Sequence, residues 1–239
     1  MAEIKKILIA NRGEIVQRAV RTIREMGKKS VAVYSAGDKN ASYLKHADEA
    51  VCIGGPKSKD SYLNIPAIIT AAEMTGCDAI FPGYGFLSEN QDFVEICRLH
   101  NIKFIGPSVE VMEKMADKSK AKEEMIRAGV PVVPGSKGSV HSVTEGRKVA
   151  LEIGYPIMAK AAAGGGGRGM RLIHDESEFD QLFMAASSEA LAAFGDGTMY
   201  LERFINNPRH IEVQVVGDSH GNAIHIGERD CSLQRRHQK

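Results

Sequence analysis

Residues 155–175 read "YPIMAKAAAGGGGRGMRLIHD", and the reading of this stretch decides the fold. Five of the six residues at 164–169 are glycine, with an apolar run on each side. A glycine in an ordered element costs about 0.5–1 kcal/mol relative to alanine, so such a run needs a reason. The stretch satisfies G-x-G-x-x-G, but a dinucleotide fingerprint requires a helix directly after the loop, and "MRLIH" reads as a strand. A Walker A loop requires Lys and then Ser or Thr after its last glycine, where this chain has Met170 and Arg171. What remains is strand, glycine loop, strand: a hairpin. Without Cβ atoms, its backbone N–H groups can approach phosphate oxygens closely and form a concave anion site. Lys160, four residues before the first glycine, would project from the leading strand toward the same phosphates. A flexible surface hairpin with a solvent-facing lysine is the competing reading, and pattern alone leaves it open.

Upstream of the hairpin the chain alternates. Strands are predicted at 7–10, 31–35, 50–53, 78–81 and 103–106, and helices at 13–27, 61–76 and 91–101, with a short polar helix around 42–47. In the first helix, Ile15, Ala19, Ile23 and Met26 are predicted to face the core, with Glu14, Arg18, Arg21 and Glu25 opposite. Such alternation predicts a parallel, doubly wound sheet that closes near residue 115. After "NRGE" there is no glycine fingerprint, so this part is Rossmann-like in layout without the pyrophosphate-binding residues. A charged helical connector ending at two prolines leads to a different grammar. A helix at 143–154 precedes the hairpin, a long helix spans 176–195, and strands follow at 199–205, 210–218 and 223–230, with "DSHGN" as a turn between the last two. The expected fold is α/β: a Rossmann-like domain over 1–115, then an α+β domain over 116–239 with a glycine-loop lid at about 132–204.

The totals exclude several classes. A net charge of +1 gives no field that argues for nucleic acid or a membrane surface. One short basic run, "RRHQK", without interleaved aromatics is poor evidence for nucleic acid. The four cysteines, at 52, 77, 97 and 231, form no C-x-x-C pair and read as free thiols of a reducing cytoplasm. Cys231, beside Asp230, reads as inert rather than nucleophilic. The apolar stretch near the N-terminus is too short for a signal peptide or membrane span.

Several stretches together, "IANRGEI", "SYLNIPAII", "PGYGFLSEN", "IGYP", "GGGGRGM", "NPRHIEVQV" and "ERDCSLQRRHQK", resemble the biotin carboxylase component of biotin-dependent carboxylases, within the ATP-grasp enzymes. The resemblance covers essentially the whole chain, and its nearest form is the stand-alone subunit of bacterial acetyl-CoA carboxylase. The related parts of pyruvate and propionyl-CoA carboxylase share these motifs. The resemblance implies that ATP phosphorylates bicarbonate to carboxyphosphate, which delivers CO2 to N1′ of biotin on a carrier protein. It places Lys160 at the α- and β-phosphates, Lys118 as a second nucleotide lysine, and Gly166 and Gly167 nearest phosphate. Backbone groups of Glu202, Arg203, Phe204 and Ile205 read the adenine edge, His210 lies near the ribose, and Gln234 and His237 lie at the nucleotide. Lys239 holds bicarbonate, and Tyr84 faces the biotin ring. The resemblance also implies magnesium, with ligands beyond residue 239, a biotin carboxyl carrier protein and carboxyltransferase subunits as partners, and a homodimer at full length. It leads to the expectation that the 239-residue polypeptide alone is inactive. A non-catalytic nucleotide-binding module is the alternative of a different class.

Overall fold

In the computed structural model, β1 (Lys6–Ile9) runs into α1 (Glu14–Glu25), then β2 (Lys29–Tyr34), β3 (Glu49–Cys52), α2 (Ile65–Met74), β4 (Ala79–Phe81), α3 (Gln91–Leu99) and β5 (Lys103–Phe104). Residues 3–116, 118–162 and 169–234 are described, with backbone alone at 116 and 118–120. All four strand pairings here are parallel, in the order β3-β2-β1-β4-β5. That is the predicted doubly wound sheet.

Strand alternation builds a core on each face. Ile7 and Ile9 of β1 pack with Ala32, Ala79 and the α1 residues Val16, Val20 and Ile23. Leu8 points the other way, into a cluster with Val31, Val33 and Ile80, the α2 residues Ile68 and Ala72, and the α3 residues Phe93 and Cys97. The buried stripe of α1 is rotated from the predicted one: Val16 and Val20 are fully buried, while Met26 is 58% exposed. Ile23 is buried as predicted and Ile15 and Ala19 are half-buried, so the helix turns its apolar side toward Val16 and Val20 and away from Met26. Asn64 and Asn90 cap α2 and α3 by accepting from the backbone N–H of Ala67 at 3.1 Å and Phe93 at 2.8 Å. The predicted helix at 61–76 therefore begins only at Ile65. The segment predicted as a polar helix around 42–47 is a single 3-10 turn, Ser42–His46.

After α4 (Val109–Ala116), a second compact unit begins within α5 (Lys118–Arg127). The division falls between Met1–Glu124 and Met125–Lys239. This second unit contains α6 (Val143–Ile153), β6 (Ile157–Ala161), β7 (Met170–Ile173), α7 (Glu176–Phe194), β8 (Met199–Arg203), β9 (Ile211–Gly217) and β10 (Ala223–Asp230). β6 pairs antiparallel with β7 on one side and β8 on the other. β9 and β10 form a separate antiparallel ladder around the "DSHGN" turn, where Asp218 accepts from the backbone N–H of His220 and Asn222. β8 ends at Arg203, two residues earlier than predicted: the Phe204 N–H still donates to the Pro156 carbonyl at 2.9 Å, but Pro156, its partner in register, has no N–H to return a bond and the ladder stops there. Among the described residues, no helix is long and apolar enough to cross a membrane.

Candidate functional site

The three-stranded sheet of the second unit has two unlike faces. Ile157, Ala159, Ala161, Ile173, Met199 and Leu201 are buried against α6 and α7, where Phe179 and Phe183 stack at 5.3 Å. The opposite face carries Met158, Lys160, Met170, Leu172, Tyr200 and Glu202, all half-buried. Register fixes this set, because Lys160 lies opposite Met170 and Tyr200, and Met158 lies opposite Leu172 and Glu202. Lys160 and Glu202 thus sit on one diagonal of this face, and the ammonium forms an ion pair with the carboxylate. The hairpin that carries Lys160 is anchored at Gly169, whose carbonyl accepts from the Ala161 N–H at 2.9 Å.

Among the described residues, the face combines an apolar shelf with a single cation. Such a surface suits a ligand with a flat apolar ring and an anionic tail. The other cations of the three strands are engaged elsewhere: Arg171 pairs with Glu189 of α7 at 2.8 Å, and Arg203 Nε donates to the Ile153 carbonyl at 3.1 Å. The N–H groups of Arg203 and Phe204 donate to the carbonyls of Pro134 and Pro156 at 2.8 and 2.9 Å. Of the predicted adenine-reading stretch, these two donors are therefore held within the second unit. Glu202 instead presents its side chain to the open face. Ile205 follows as an exposed residue beyond the strand.

His210 and Gln234 come together although 24 residues separate them: the Gln234 amide donates to His210 Nδ1 at 2.8 Å and to the Cys231 carbonyl at 2.7 Å. The His210 N–H donates to Ser232 Oγ at 2.9 Å. Lys118 opens α5, with only its backbone described. Gly166, Gly167, His237 and Lys239 lie outside the described residues.

In the first unit, the strand order reverses direction between β1 and β4, and the loops after these strands form a topological switch point. Asn11, 1% exposed, ties the two loops together: its side-chain amide donates to the carbonyls of Pro82 at 2.7 Å and Tyr84 at 2.9 Å. Tyr84 is 68% exposed, and its phenol donates to Glu14 at 2.7 Å. Beside this seam lies a cleft of about 300 Å³ lined by Arg12, Glu14, Gln17, Asp38 and Tyr43, among others. Asp38 accepts from Arg12 at 2.9 Å, Tyr62 at 2.6 Å and Ser35 at 2.9 Å. Burial, reinforced by the bond to Asp38, raises the Tyr62 phenol above its ordinary range. Sequence reasoning missed Asn11, Asp38 and Tyr62, because nothing in local spacing brings residues 24 to 73 positions apart into contact. It also missed Met158, Met170, Leu172 and Tyr200, although strict alternation along the strands carried that signal.

Residues 3–112 match the family described as biotin carboxylase, N-terminal domain, and residues 117–239 match the ATP-binding domain of the carbamoyl-phosphate synthase L chain. The chain belongs to the biotin carboxylase family. Its fold is that of the ATP-grasp members. The biotin carboxylase of Campylobacter jejuni, solved as a β-γ-ATP complex, is 68% identical with a TM-score of 0.85, covering 99% of this chain and 53% of that one. The biotin carboxylase of Nostoc sp. is 59% identical over 98% of this chain and 52% of its own length. The biotin carboxylase domain dimer of Hydrogenobacter thermophilus 2-oxoglutarate carboxylase, solved with MgADP, ADP and bicarbonate, is 50% identical with a TM-score of 0.82. That match covers all of this chain and 52% of the other. The chain thus spans about half the length of the biotin carboxylases it matches. Among the described residues, no three His, Cys, Asp or Glu side chains gather to hold a metal ion.

Proposed function

We propose that this chain is the N-terminal and nucleotide-clamping part of an ATP-dependent ligase that carboxylates carrier-bound biotin with bicarbonate. The observation that carries the reading is Lys160 on the open apolar face of the lid sheet, at the root of the glycine loop. The relatives solved with a β-γ-ATP compound, ADP and bicarbonate support it.

The reaction runs in two stages. A bicarbonate oxygen attacks the γ-phosphorus of ATP, giving carboxyphosphate and ADP. Carboxyphosphate then releases phosphate and delivers CO2 to N1′ of biotin, which gives up its proton. Lys160 neutralises the α- and β-phosphates, and Lys118 adds a second charge to the nucleotide. The amides of Gly166 and Gly167 close over the phosphate tail, while Ile205, His210, Gln234 and His237 line the base and sugar. Lys239 holds bicarbonate as a compact point charge and stabilises charge on the transferring phosphoryl group. Closure of the lid excludes water, which protects carboxyphosphate from hydrolysis. Tyr84 faces the biotin ring.

The stand-alone biotin carboxylases above are more similar to this chain than the 2-oxoglutarate carboxylase domain is, which favours the subunit of a cytoplasmic acetyl-CoA carboxylase that feeds fatty-acid synthesis. Its partners are then a biotin carboxyl carrier protein, carboxyltransferase subunits and a second copy of itself. Turnover of ATP by the full-length protein tests this. The reading predicts turnover that depends on both bicarbonate and biotin, and loss of bicarbonate-dependent turnover with unchanged nucleotide affinity in Lys239→Ala. ATP turnover indifferent to both substrates contradicts it.

A further inference from the structure

The loop between β4 and α3 leaves the carboxyl end of the parallel sheet in a conformation that few side chains tolerate. Gly83 and Gly85 have φ of +65° and +71°, and Phe86 has φ of +43°. A bulky residue in that region is strained, and such strain persists only where the surroundings over-determine it. What holds Phe86 is Tyr62, from the turn before α2: the two rings stack with centroids 5.0 Å apart and planes inclined by 19°. Tyr62 is itself locked. Its ring is fully buried, and its hydroxyl donates to Asp38 at 2.6 Å and accepts from the Ser35 N–H at 3.0 Å. Asp38 is fixed in turn by Ser35 Oγ and Arg12, each donating at 2.9 Å, and the Arg12 guanidinium lies over the Tyr62 ring, 5.6 Å from its centroid.

We propose that Phe86 is a positioning residue for the second stage of the reaction: stacked on the Tyr62 ring, it holds the β4–α3 loop in the conformation that presents Tyr84. Tyr84 stands between two anchors. Asn11 grips its carbonyl from beneath, and Phe86, two residues on, is clamped to a ring that cannot move. Past Phe86 the chain is fixed again, because Leu87 is buried and the Asn90 side chain caps α3. Without the stack, Phe86 is released toward the negative φ that a side chain prefers, and the segment from Tyr84 to Phe86 turns with it. The presenting conformation then becomes one of several, and affinity for whatever Tyr84 contacts falls by the fraction of the population lost. Every residue of this train belongs to the first unit, whereas Lys160 and the glycine loop belong to the second. Loss of the stack therefore acts on the transfer to biotin and leaves the attack of bicarbonate on ATP alone.

The inference rests on the reading that Tyr84 faces the biotin ring, and the two fail differently. Bicarbonate-dependent phosphate release from ATP is measured in the full-length wild type, Phe86→Leu, Phe86→Tyr and Tyr84→Ala, without biotin and across a series of free biotin concentrations. The rate without biotin reports the first stage, and KM for biotin reports presentation of the loop. Phe86→Leu is expected to raise KM for biotin about five- to thirtyfold, with the biotin-free rate within about twofold of wild type. Phe86→Tyr, which keeps the stack, is expected to stay within about twofold of wild type in both. A fall of both rates together in Phe86→Leu means a structural role only and overturns the proposal. So does an equal KM for biotin in Phe86→Leu and wild type, or a KM in Phe86→Tyr as high as in Phe86→Leu, while Tyr84→Ala still raises it. A Tyr84→Ala protein with the wild-type KM for biotin takes down the reading of Tyr84, and the positioning role with it.

Discussion

The side-chain amide of Asn11 donates to the Pro82 carbonyl at 2.7 Å, across the seam where the two halves of the parallel sheet diverge. Asn11 is 1% exposed and makes a second bond to the Tyr84 carbonyl, so the loop carrying Tyr84 is held from beneath by one buried side chain. Asn11→Ala removes the donor and leaves two carbonyls short of a partner, at an expected cost of about 1–3 kcal/mol in urea unfolding. Glu14→Gln, which alters one end of the exposed bond from the Tyr84 phenol, should cost far less, within about 0.5 kcal/mol. Equal costs for the two variants would remove Asn11 from this role.

Much of the fold is legible because it is written in periodicity. Ile7, Leu8 and Ile9 announce a strand buried on both faces, and "MRLIH" after the glycines rules out a helix. Local pattern is less informative where tertiary contact selects among equal local choices. The buried row of α1 is one such case, and the end of β8, decided by the proline that faces Phe204 across the ladder, is another. The site is legible in Lys160 and its loop. The Glu202 side chain opposite it emerges only from register, since 42 residues separate the two.

Acid stability offers a second test. Asp48 accepts from Lys29 Nζ and from the Ser30 N–H at 2.9 Å each, and from Ser30 Oγ at 2.8 Å, which tie β2 to the start of β3. These bonds, that from Lys29 foremost, lower the Asp48 carboxyl from 3.8 to about 2. A folded value below the unfolded one means that Asp48 stabilises the native state fully above about pH 4, and that this contribution fades as pH falls toward 2. Denaturant midpoints of the wild type and Asp48→Asn should therefore differ most near neutrality and converge only at about pH 2 and below. A difference that stays constant over this range would contradict the assignment.

Gly169 closes the glycine hairpin under two constraints. Its φ is +65°, and a Cβ built there would lie 2.9 Å from Ala161 Cβ and 3.3 Å from Ala190 Cβ. Gly169→Ala is expected to destabilise the second unit by about 1–3 kcal/mol, from backbone strain and the close approach together. Gly221, in the β9–β10 turn, also has positive φ but nothing within 4 Å, so Gly221→Ala should show the backbone part alone. Thermal unfolding of the two variants separates the contributions. A Gly169→Ala chain no less stable than Gly221→Ala would show that α7 does not pack against the hairpin's base.

The glycine run and the lysine at its root are assigned to one task, gripping the phosphate tail of a nucleotide. Titration of the full-length protein and its Lys160→Ala variant with ATP tests that assignment most directly. Loss of one charged hydrogen-bond donor to phosphate predicts affinity about ten- to a hundredfold weaker in the variant. Equal affinity in the two proteins would place the nucleotide elsewhere and contradict the account.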